Sequence, residues 1–185
     1  IRYHSATLYS EFVEQVLVSC DPEKAKGLLE RLSLEQDFSG IRLLITRDLQ
    51  KAKDYLWDRY NNDENARFGM MASSKDKVLE PDFGVPNSFM ATKQVKFGPW
   101  YADPISSPHS CTQLTRVVTE FGAQGLELDM TLLAWGTDFI RINKEWSIEY
   151  ARGYSKKDGV PVNDPFNLRV NAYRVLLTRG RDGTF

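Results

Sequence analysis

The sequence predicts a three-layer α/β domain with a mostly parallel sheet and one long loop insertion. Short aliphatic, β-branched runs alternate with segments of helical period, and 185 residues suit a single core. A chain of this size can bury roughly 70% of the surface that it exposes when unfolded. Strand-helix-strand order normally gives parallel pairing through a right-handed crossover.

Two helices are predicted at the start of the chain. Apolar residues in the range 8–18 recur at three- and four-residue intervals, as in the buried stripe of a helix. Asp21-Pro22-Glu23 then offers an N-cap, a proline at the first helical position and an acid in the first turn. A second helix therefore follows, with apolar residues in phase as far as Leu32.

A strand-helix-strand unit comes next. Residues 41–45 form a short β-branched run, residues 48–60 keep a helical period, and residues 67–72 are a second strand candidate. This order is the basis for the parallel sheet.

The region of about 75–112 is expected to be an irregular insertion, because it contains five prolines and has no clear period. A structureless run of this length inside a compact domain is usually functional or disordered. Aromatic side chains favour an ordered insertion that packs them onto the domain, with complete disorder as the alternative. These side chains are Phe83, Phe89, Phe97, Trp100 and Tyr101.

The last part of the chain is predicted to hold two strands, a polar loop and a helix. The strands are residues 117–119 and 130–135, and the loop runs over about 136–163. Asn163-Asp164-Pro165 is a strong helix start, and Gly180 can take the left-handed conformation that ends a helix. A further strand begins near residue 183, and because residue 1 is Ile rather than Met, we expect a fragment of a longer protein.

Composition excludes several classes of function. Lys and Arg number 24 against 25 Asp and Glu, so any contact with nucleic acid must be local. The two cysteines and two histidines lack metal-ligand or disulfide spacing, which favours a reducing cytoplasm and no metal site. No leader is apparent, and no apolar run approaches the ~20 residues that span a bilayer. Ser110 and Cys111 beside His109 do not form a nucleophile elbow, which argues against a hydrolase of that type.

The most informative segment is residues 119–129, which leave one strand, turn on glycine and enter another. A glycine turn at the carboxyl edge of a parallel sheet lets the backbone approach a ligand, and Glu127 can accept from a sugar hydroxyl. The alternative is an ordinary strand-turn-strand with a solvated acid pair, Glu127 and Asp129.

The second informative segment is residues 171–181, on the last helix. The permanent charge and planar fork of a guanidinium at a helix end suit the developing charge on a transferred phosphoryl group. In the alternative, Arg174, Arg179 and Arg181 are solvated cations, which are favoured near a helix C-terminus.

The two segments resemble motifs of superfamily 1 helicases. The first is similar to T-x-H-x-x-(K/Q)-G-x-E-x-(D/E), with Phe121 in the position of the His. The second is similar to Y-V-A-x-T-R-A, in which the arginine after the threonine, here Arg179, acts as an arginine finger. The residues that match the first motif are Thr119, Gln124, Gly125, Glu127 and Asp129.

Nearly the whole chain resembles a family of mostly bacterial, DNA/RNA helicase-like ATPases that are related to the helicase region of Schlafen proteins. Its segments include Ile1-Arg2-Tyr3-His4-Ser5-Ala6, Leu44-Ile45-Thr46-Arg47-Asp48-Leu49, Ala72-Ser73-Ser74-Lys75 and Gly98-Pro99-Trp100-Tyr101.

The resemblance implies a RecA-like, P-loop NTPase-type domain, the C-terminal half of a motor that binds ATP with Mg²⁺ against an upstream RecA-like domain. Gln124, Gly125, Glu127 and Arg179 would contact the nucleotide, with Arg179 catalytic. The sequence G-x-x-x-x-G-K-(S/T) does not occur in these residues, so the chain alone is not expected to hydrolyse ATP.

Each candidate contact to single-stranded DNA or RNA has an alternative structural interpretation. Ser73, Ser74 and Lys75 follow a predicted strand and can donate to a phosphate, although a plain polar turn fits equally. Thr119 begins the first motif. Trp100, with Lys93 and Lys96 nearby in sequence, can stack on bases or pack onto its own domain. The rival function is a non-catalytic nucleic-acid or protein-binding adaptor, which Phe121 in place of His allows.

Overall fold

The structure, a computed structural model, describes residues 2–35, 41–154 and 162–185. A five-stranded sheet is built from β1 (Arg42–Leu43), β2 (Phe68–Ala72), β3 (Val117–Val118), β4 (Leu128–Ala134) and β7 (Gly180–Thr184). A separate hairpin is formed by β5 (Ile140–Ile142) and β6 (Glu145–Ser147). The α-helices are α1 (Arg2–Glu14), α2 (Pro22–Glu35), α3 (Leu49–Arg59), α4 (Leu79–Phe83), α5 (Phe89–Lys93), α6 (Phe97–Ala102) and α7 (Pro165–Leu177), with a π-helix at Gln15–Ser19 and a 3₁₀ turn at Cys111–Gln113.

The sheet has the strand order β1-β7-β4-β2-β3, and every pair of neighbouring strands is parallel. The prediction of an α/β domain with a mostly parallel sheet is therefore confirmed. All of these strands begin at one edge, the amino edge, and end at the other, the carboxyl edge.

Helices cover both faces of the sheet. Met71 and Val118 face a core shared with α1, α2 and α7, whereas Met70 and Val117 face a core shared with α3. The two sets are separated because successive strand residues point to opposite sides. The arrangement has three layers and is compatible with a Rossmann-like or RecA-like fold.

Helix α2 begins where the sequence indicates, whereas α1 begins at Arg2, six residues before the predicted range of 8–18, and gives way to a π-helix after Glu14. The backbone N–H of Lys24 donates to Asp21 Oδ1 at 3.1 Å, which caps α2 as expected. The π-helix at the end of α1 was not predicted. It presents the Val16 carbonyl oxygen to Trp146 Nε1, which donates to it at 2.8 Å.

The insertion is less irregular than the sequence analysis expected. It contains α4, α5 and α6, and the Ser88 hydroxyl caps α5 by accepting from Ala91 N–H at 3.3 Å. Five or six residues are too few to produce a recognisable period, which is why these helices were missed. The expected packing of aromatics holds for Trp100 but is wrong for Phe83, Phe89 and Phe97, which are 63%, 71% and 49% exposed.

The predicted polar loop contains the β5–β6 hairpin. Asn143 and Lys144 connect the strands, with φ values of 51° and 70°, as a tight two-residue hairpin turn requires. The prediction of a loop is wrong here because two three-residue strands give little alternating pattern. Residues 155–161 of the same predicted loop lie outside the described residues.

The last helix begins as predicted, with Asp164 Oδ1 accepting from Asn167 N–H at 2.9 Å. It ends at Leu177, so the prediction that Gly180 provides a left-handed cap is wrong. Gly180 is instead the first residue of β7. A Cβ at Gly180 would collide with the Gly183 carbonyl, and a Cβ at Gly183 would collide with the Arg42 carbonyl. Glycine is needed at both positions for close backbone approach.

Candidate functional site

The turn of residues 122–127 connects β3 to β4 and is held by its own backbone. Ala123 N–H donates to the Thr119 carbonyl at 2.9 Å, and Leu126 N–H donates to the Ala123 carbonyl at 3.2 Å. Gly125 has a φ of 79°, a conformation that favours glycine. The backbone conformation at this position therefore explains why the motif has a glycine there.

The end of this turn, at Leu126 and Glu127, lies at the amino edge of the sheet, whereas Ala123 near its start is hydrogen-bonded to Thr119 at the carboxyl edge. The expectation that the turn lies at the carboxyl edge is therefore wrong for Glu127. Leu128 begins β4 directly after the turn, whereas Thr119 and Glu120 directly follow β3 at the carboxyl edge. Because the sheet is parallel, the chain must return from the end of β3 to the start of β4. The motif therefore extends from one edge to the other.

Arg179 lies beside this turn, between the end of α7 and the start of β7. Leu128 N–H donates to the Arg179 carbonyl at 2.9 Å. The guanidinium donates to the Val175 carbonyl at 3.2 Å and to the Leu126 carbonyl at 3.5 Å. Arg179 is half-buried, and Gln124, Gly125 and Glu127 of the turn are exposed.

The two acids of the first motif have different environments. Asp129 accepts from Arg67 N–H at 2.7 Å and forms an ion pair with Arg181, so its oxygens are engaged within the protein. The Glu127 side chain is exposed, while its carbonyl accepts from the Tyr101 hydroxyl at 3.0 Å. Glu127 is the acid that can face a ligand.

A buried ionic cluster lies at the carboxyl edge. Arg169 of α7 is 2% exposed, and its guanidinium contacts Glu120 Oε1 at 2.6 Å and Asp138 Oδ2 at 3.1 Å. The Ser73 hydroxyl bonds to both Arg169 and Asp138. The Tyr173 hydroxyl donates to Asp138 Oδ1 at 2.6 Å. We call these five residues the carboxyl-edge cluster.

Two members of this cluster, Arg169 and Tyr173, have raised pKa values. Burial acts to lower the pKa of Arg169, but the charge and hydrogen bond of Glu120 outweigh it, so the pKa is raised above its ordinary value. Burial, and then the charge of Asp138, raise the pKa of Tyr173 well above its ordinary value. Neither group exchanges a proton near neutral pH, so the cluster positions the elements that it joins.

The structure gives the predicted phosphate-contacting residues different environments. Ser73 is fully buried in the carboxyl-edge cluster, and Ser74 donates to Glu120 from its N–H at 2.9 Å and its hydroxyl at 2.7 Å. Lys75 Nζ lies 4.3 Å from the Tyr154 ring centroid. Burial, followed by the nearby charge of Arg169, lowers the pKa of Lys75. Thr119 is 8% exposed. Among these four, Lys75 is the side chain best placed to meet an anion.

Trp100 is not available to nucleic-acid bases. It is 1% exposed, and its ring lies so close to Gly69 that a Cβ there would come within 2.7 Å of Cζ2. The role that this geometry supports for Trp100 is packing against β2.

Sequence reasoning missed Arg169 and Asp138. One signal was available, since Arg169 lies three residues before Ala172 and four before Tyr173, in the phase of the buried helix face. An arginine on the buried face of a helix indicates a buried ion pair when that helix packs over acidic residues at the ends of strands.

The part of the chain that the structure describes contains no group of three or more His, Cys, Asp or Glu side chains that could hold a metal ion. Within the same part, no helix combines the length and apolar character required to cross a membrane.

The fold defines a parallel α/β domain of the three-layer type that includes Rossmann-like and RecA-like proteins. A family profile described as Schlafen group 3, DNA/RNA helicase domain, matches residues 1–185. The chain belongs to this family, and its membership indicates a helicase-like function on nucleic acid. No curated protein and no solved structure matched the chain.

Proposed function

We propose that the chain is the second, RecA-like half of a bacterial, cytoplasmic, nucleic-acid-dependent helicase or ATPase, and that it completes an ATP site. The observation that carries this proposal is the contact between Arg179 and the turn of residues 122–127. Two segments that are about fifty residues apart in sequence meet at one edge. Both resemble helicase motifs that face ATP.

In this proposal the amino edge faces an upstream RecA-like domain that supplies the phosphate-binding loop and the Mg²⁺ ligands. Glu127 accepts from the ribose, the backbone at Gln124 and Gly125 approaches the nucleotide, and Arg179 meets the γ-phosphate. The exposure of Glu127 and the left-handed Gly125 backbone support these roles. Single-stranded DNA or RNA is the polymer along which the two halves move.

The proposal is tested by Arg179→Ala in a protein that contains this chain and its upstream half. An arginine finger contributes roughly 10³- to 10⁵-fold to the rate of phosphoryl transfer. We therefore expect turnover of ATP to fall by at least about 10³-fold, while nucleotide affinity changes much less. Steady-state ATPase assays and equilibrium binding of a fluorescent ATP analogue measure the two effects separately.

Arg174→Ala, on the helix that precedes Arg179, is the matched control. Arg174 pairs with Glu14 at 2.8 Å, and both side chains remain partly exposed at 38% and 47%. This variant removes a cation without touching the amino edge, so turnover should stay within about twofold of the wild type. Turnover of Arg179→Ala within tenfold of the wild type would disprove the finger assignment.

A second candidate is an adaptor that binds nucleic acid or protein without hydrolysis. Phe121, in the position of the motif histidine, is 68% exposed and favours binding over catalysis. The coding sequence upstream of Ile1 separates the two functions. A phosphate-binding loop and an acidic metal-binding strand there support the motor, and their absence supports the adaptor.

A further inference from the structure

Large apolar side chains are exposed beside β3. Phe89 and Met90 of α5 are 71% and 66% exposed, Phe97 of α6 is 49% exposed, and Phe121, directly before the turn of residues 122–127, is 68% exposed. We call these four residues the aromatic patch. Contiguous exposed apolar surface on a soluble domain commonly marks an interaction site.

Local packing brings these residues to the same side of the domain. The Phe97 ring lies against Gly122, where a Cβ would collide with Cε1, and Phe121 is the adjacent residue. Helix α5 contacts β3, the strand that ends three residues before Phe121. Val95, between α5 and α6, is buried in the same core as Val118. The patch therefore borders the β3 edge of the sheet.

The segment that carries Phe89, Met90 and Phe97 is positively charged, although the chain as a whole has a net charge of -1. No Asp or Glu occurs from residue 84 to residue 102, whereas Lys93 and Lys96 lie within that range and are exposed. Lys93 Nζ lies 5.8 Å from the centroid of the Phe89 ring. Asp103 is the single acid between residues 84 and 119, and it accepts from the Ser107 hydroxyl at 2.6 Å.

We infer that the aromatic patch is a stacking platform for unpaired bases, with Lys93 and Lys96 contacting the phosphates of the same strand. Exposed rings interspersed with cations are the combination that binds single strands without sequence preference. An apolar protein partner would not require the local absence of acids. The inference rests on the proposed function, because it takes a single strand as the polymer that the protein binds. It does not depend on ATP binding or hydrolysis.

The platform also accounts for Phe121. This residue directly precedes the turn of residues 122–127, so a strand stacked on its ring would lead towards the segment proposed to touch nucleotide. Replacement of the motif histidine by phenylalanine then exchanges a polar contact for a stacking contact.

The test is direct binding of labelled single strands to the 185-residue chain by fluorescence anisotropy. The probes are oligothymidylate and an abasic strand of the same length, which keeps the phosphates and lacks the bases. We expect Phe89→Ala and Phe121→Ala each to weaken oligothymidylate binding roughly 5- to 150-fold. Binding of the abasic strand should change by less than about twofold.

Conservative and distant substitutions control for folding. Phe89→Trp and Phe121→Tyr retain a ring and should bind within about threefold of the wild type. Lys93→Glu should weaken both probes, with a smaller effect at high salt. Leu34→Ala and Lys26→Glu, both at exposed positions on α2, should leave binding unchanged. Thermal melting by circular dichroism confirms that each variant is folded.

The inference is overturned if the wild type binds neither probe, or if the alanine variants bind oligothymidylate as tightly as the wild type. It is also overturned if these variants abolish self-association or capture of a protein partner while strand binding persists. Failure here is distinct from failure of the proposed function. Arg179→Ala should bind both probes normally, and its turnover in the complete protein is a separate measurement.

Discussion

At Arg169 a guanidinium leaves water almost completely and meets two carboxylates. Desolvating a charge costs several kcal/mol, and this cost is offset only when the geometry and the remaining hydrogen bonds are favourable. Glu120, Asp138, Ser73 and the Tyr154 hydroxyl together receive the donors of Arg169. The side chain therefore fixes α7 over the ends of β2, β3 and β4.

We expect Arg169→Met to destabilise the protein by about 3–5 kcal/mol, because it leaves Glu120 and Asp138 buried without their cation. Urea denaturation measures this change. Arg174→Met is the matched control, and it should cost less than about 1 kcal/mol because its pair with Glu14 is solvated. Equal losses in the two variants would contradict the special role of Arg169.

Individual residues also show what the sequence can and cannot predict. Motif spacing predicts Gln124, Gly125, Glu127 and Arg179 as nucleotide contacts, and these contacts stay predictions. At Gly125 the positive φ gives a local backbone reason for the glycine of the motif. The sequence did not show which aromatic side chains of the insertion are buried, as Trp100 is, and which are exposed, as Phe97 is. Both residues lie in one six-residue helix, and their burial depends on which side of that helix meets β2.

Among the elements, the π-helix has a definite partner. Its wider turn leaves the Val16 carbonyl available for Trp146, whose ring also stacks on Phe139 with centroids 4.4 Å apart. The β5–β6 hairpin is thereby attached to the first helix. The sequence contained no sign of this contact, because it joins segments 130 residues apart.

Trp146→Phe tests this attachment, since it keeps a ring against Phe139 and removes the indole donor. We expect a loss of about 0.5–1.5 kcal/mol in unfolding free energy. Hydrogen exchange at the amides of β5 and β6 should accelerate, while exchange in β2 stays unchanged. An unaltered exchange rate in the hairpin would show that the indole bond does not hold it.

The longer elements were predictable and the shorter ones were not. Helices α2, α3 and α7 each begin at a capping residue and have at least three apolar positions in helical phase. Their local propensity and their tertiary packing therefore favour the same structure. In α5 and β5 the pattern is too short to distinguish from a loop. Their positions are determined by neighbours that are distant in sequence.

For the whole molecule, a buried phenol and a buried thiol with raised pKa values predict how stability changes at alkaline pH. Burial raises the pKa of Tyr9 to about 12 and the pKa of Cys111 to about 11. The corresponding unfolded values are about 10 and about 8.5. Because both folded values are raised, the stabilisation is complete below the unfolded pKa and is lost as pH rises through the folded pKa.

We therefore expect the unfolding free energy to decrease above pH about 8.5 and to fall more steeply between about 10 and 12. Tyr9 donates to the Leu177 carbonyl at 2.9 Å and to Thr184 Oγ1 at 3.2 Å. Tyr9→Phe should be less stable at neutral pH and should lack part of the decline above pH about 10. Urea denaturation at several pH values measures both effects, and an identical alkaline slope in the variant would refute the assignment.

The course of α7 limits how this domain can respond to a nucleotide. Arg169 is anchored at one edge of the sheet, and about 12 Å of helix at 1.5 Å per residue separates it from Leu177, two residues before Arg179. The helix cannot slide along its axis to advance Arg179 without pulling Arg169 from its two carboxylates. Any approach of Arg179 to ATP is therefore expected to carry the sheet with it, as a rigid-body rotation of the entire domain.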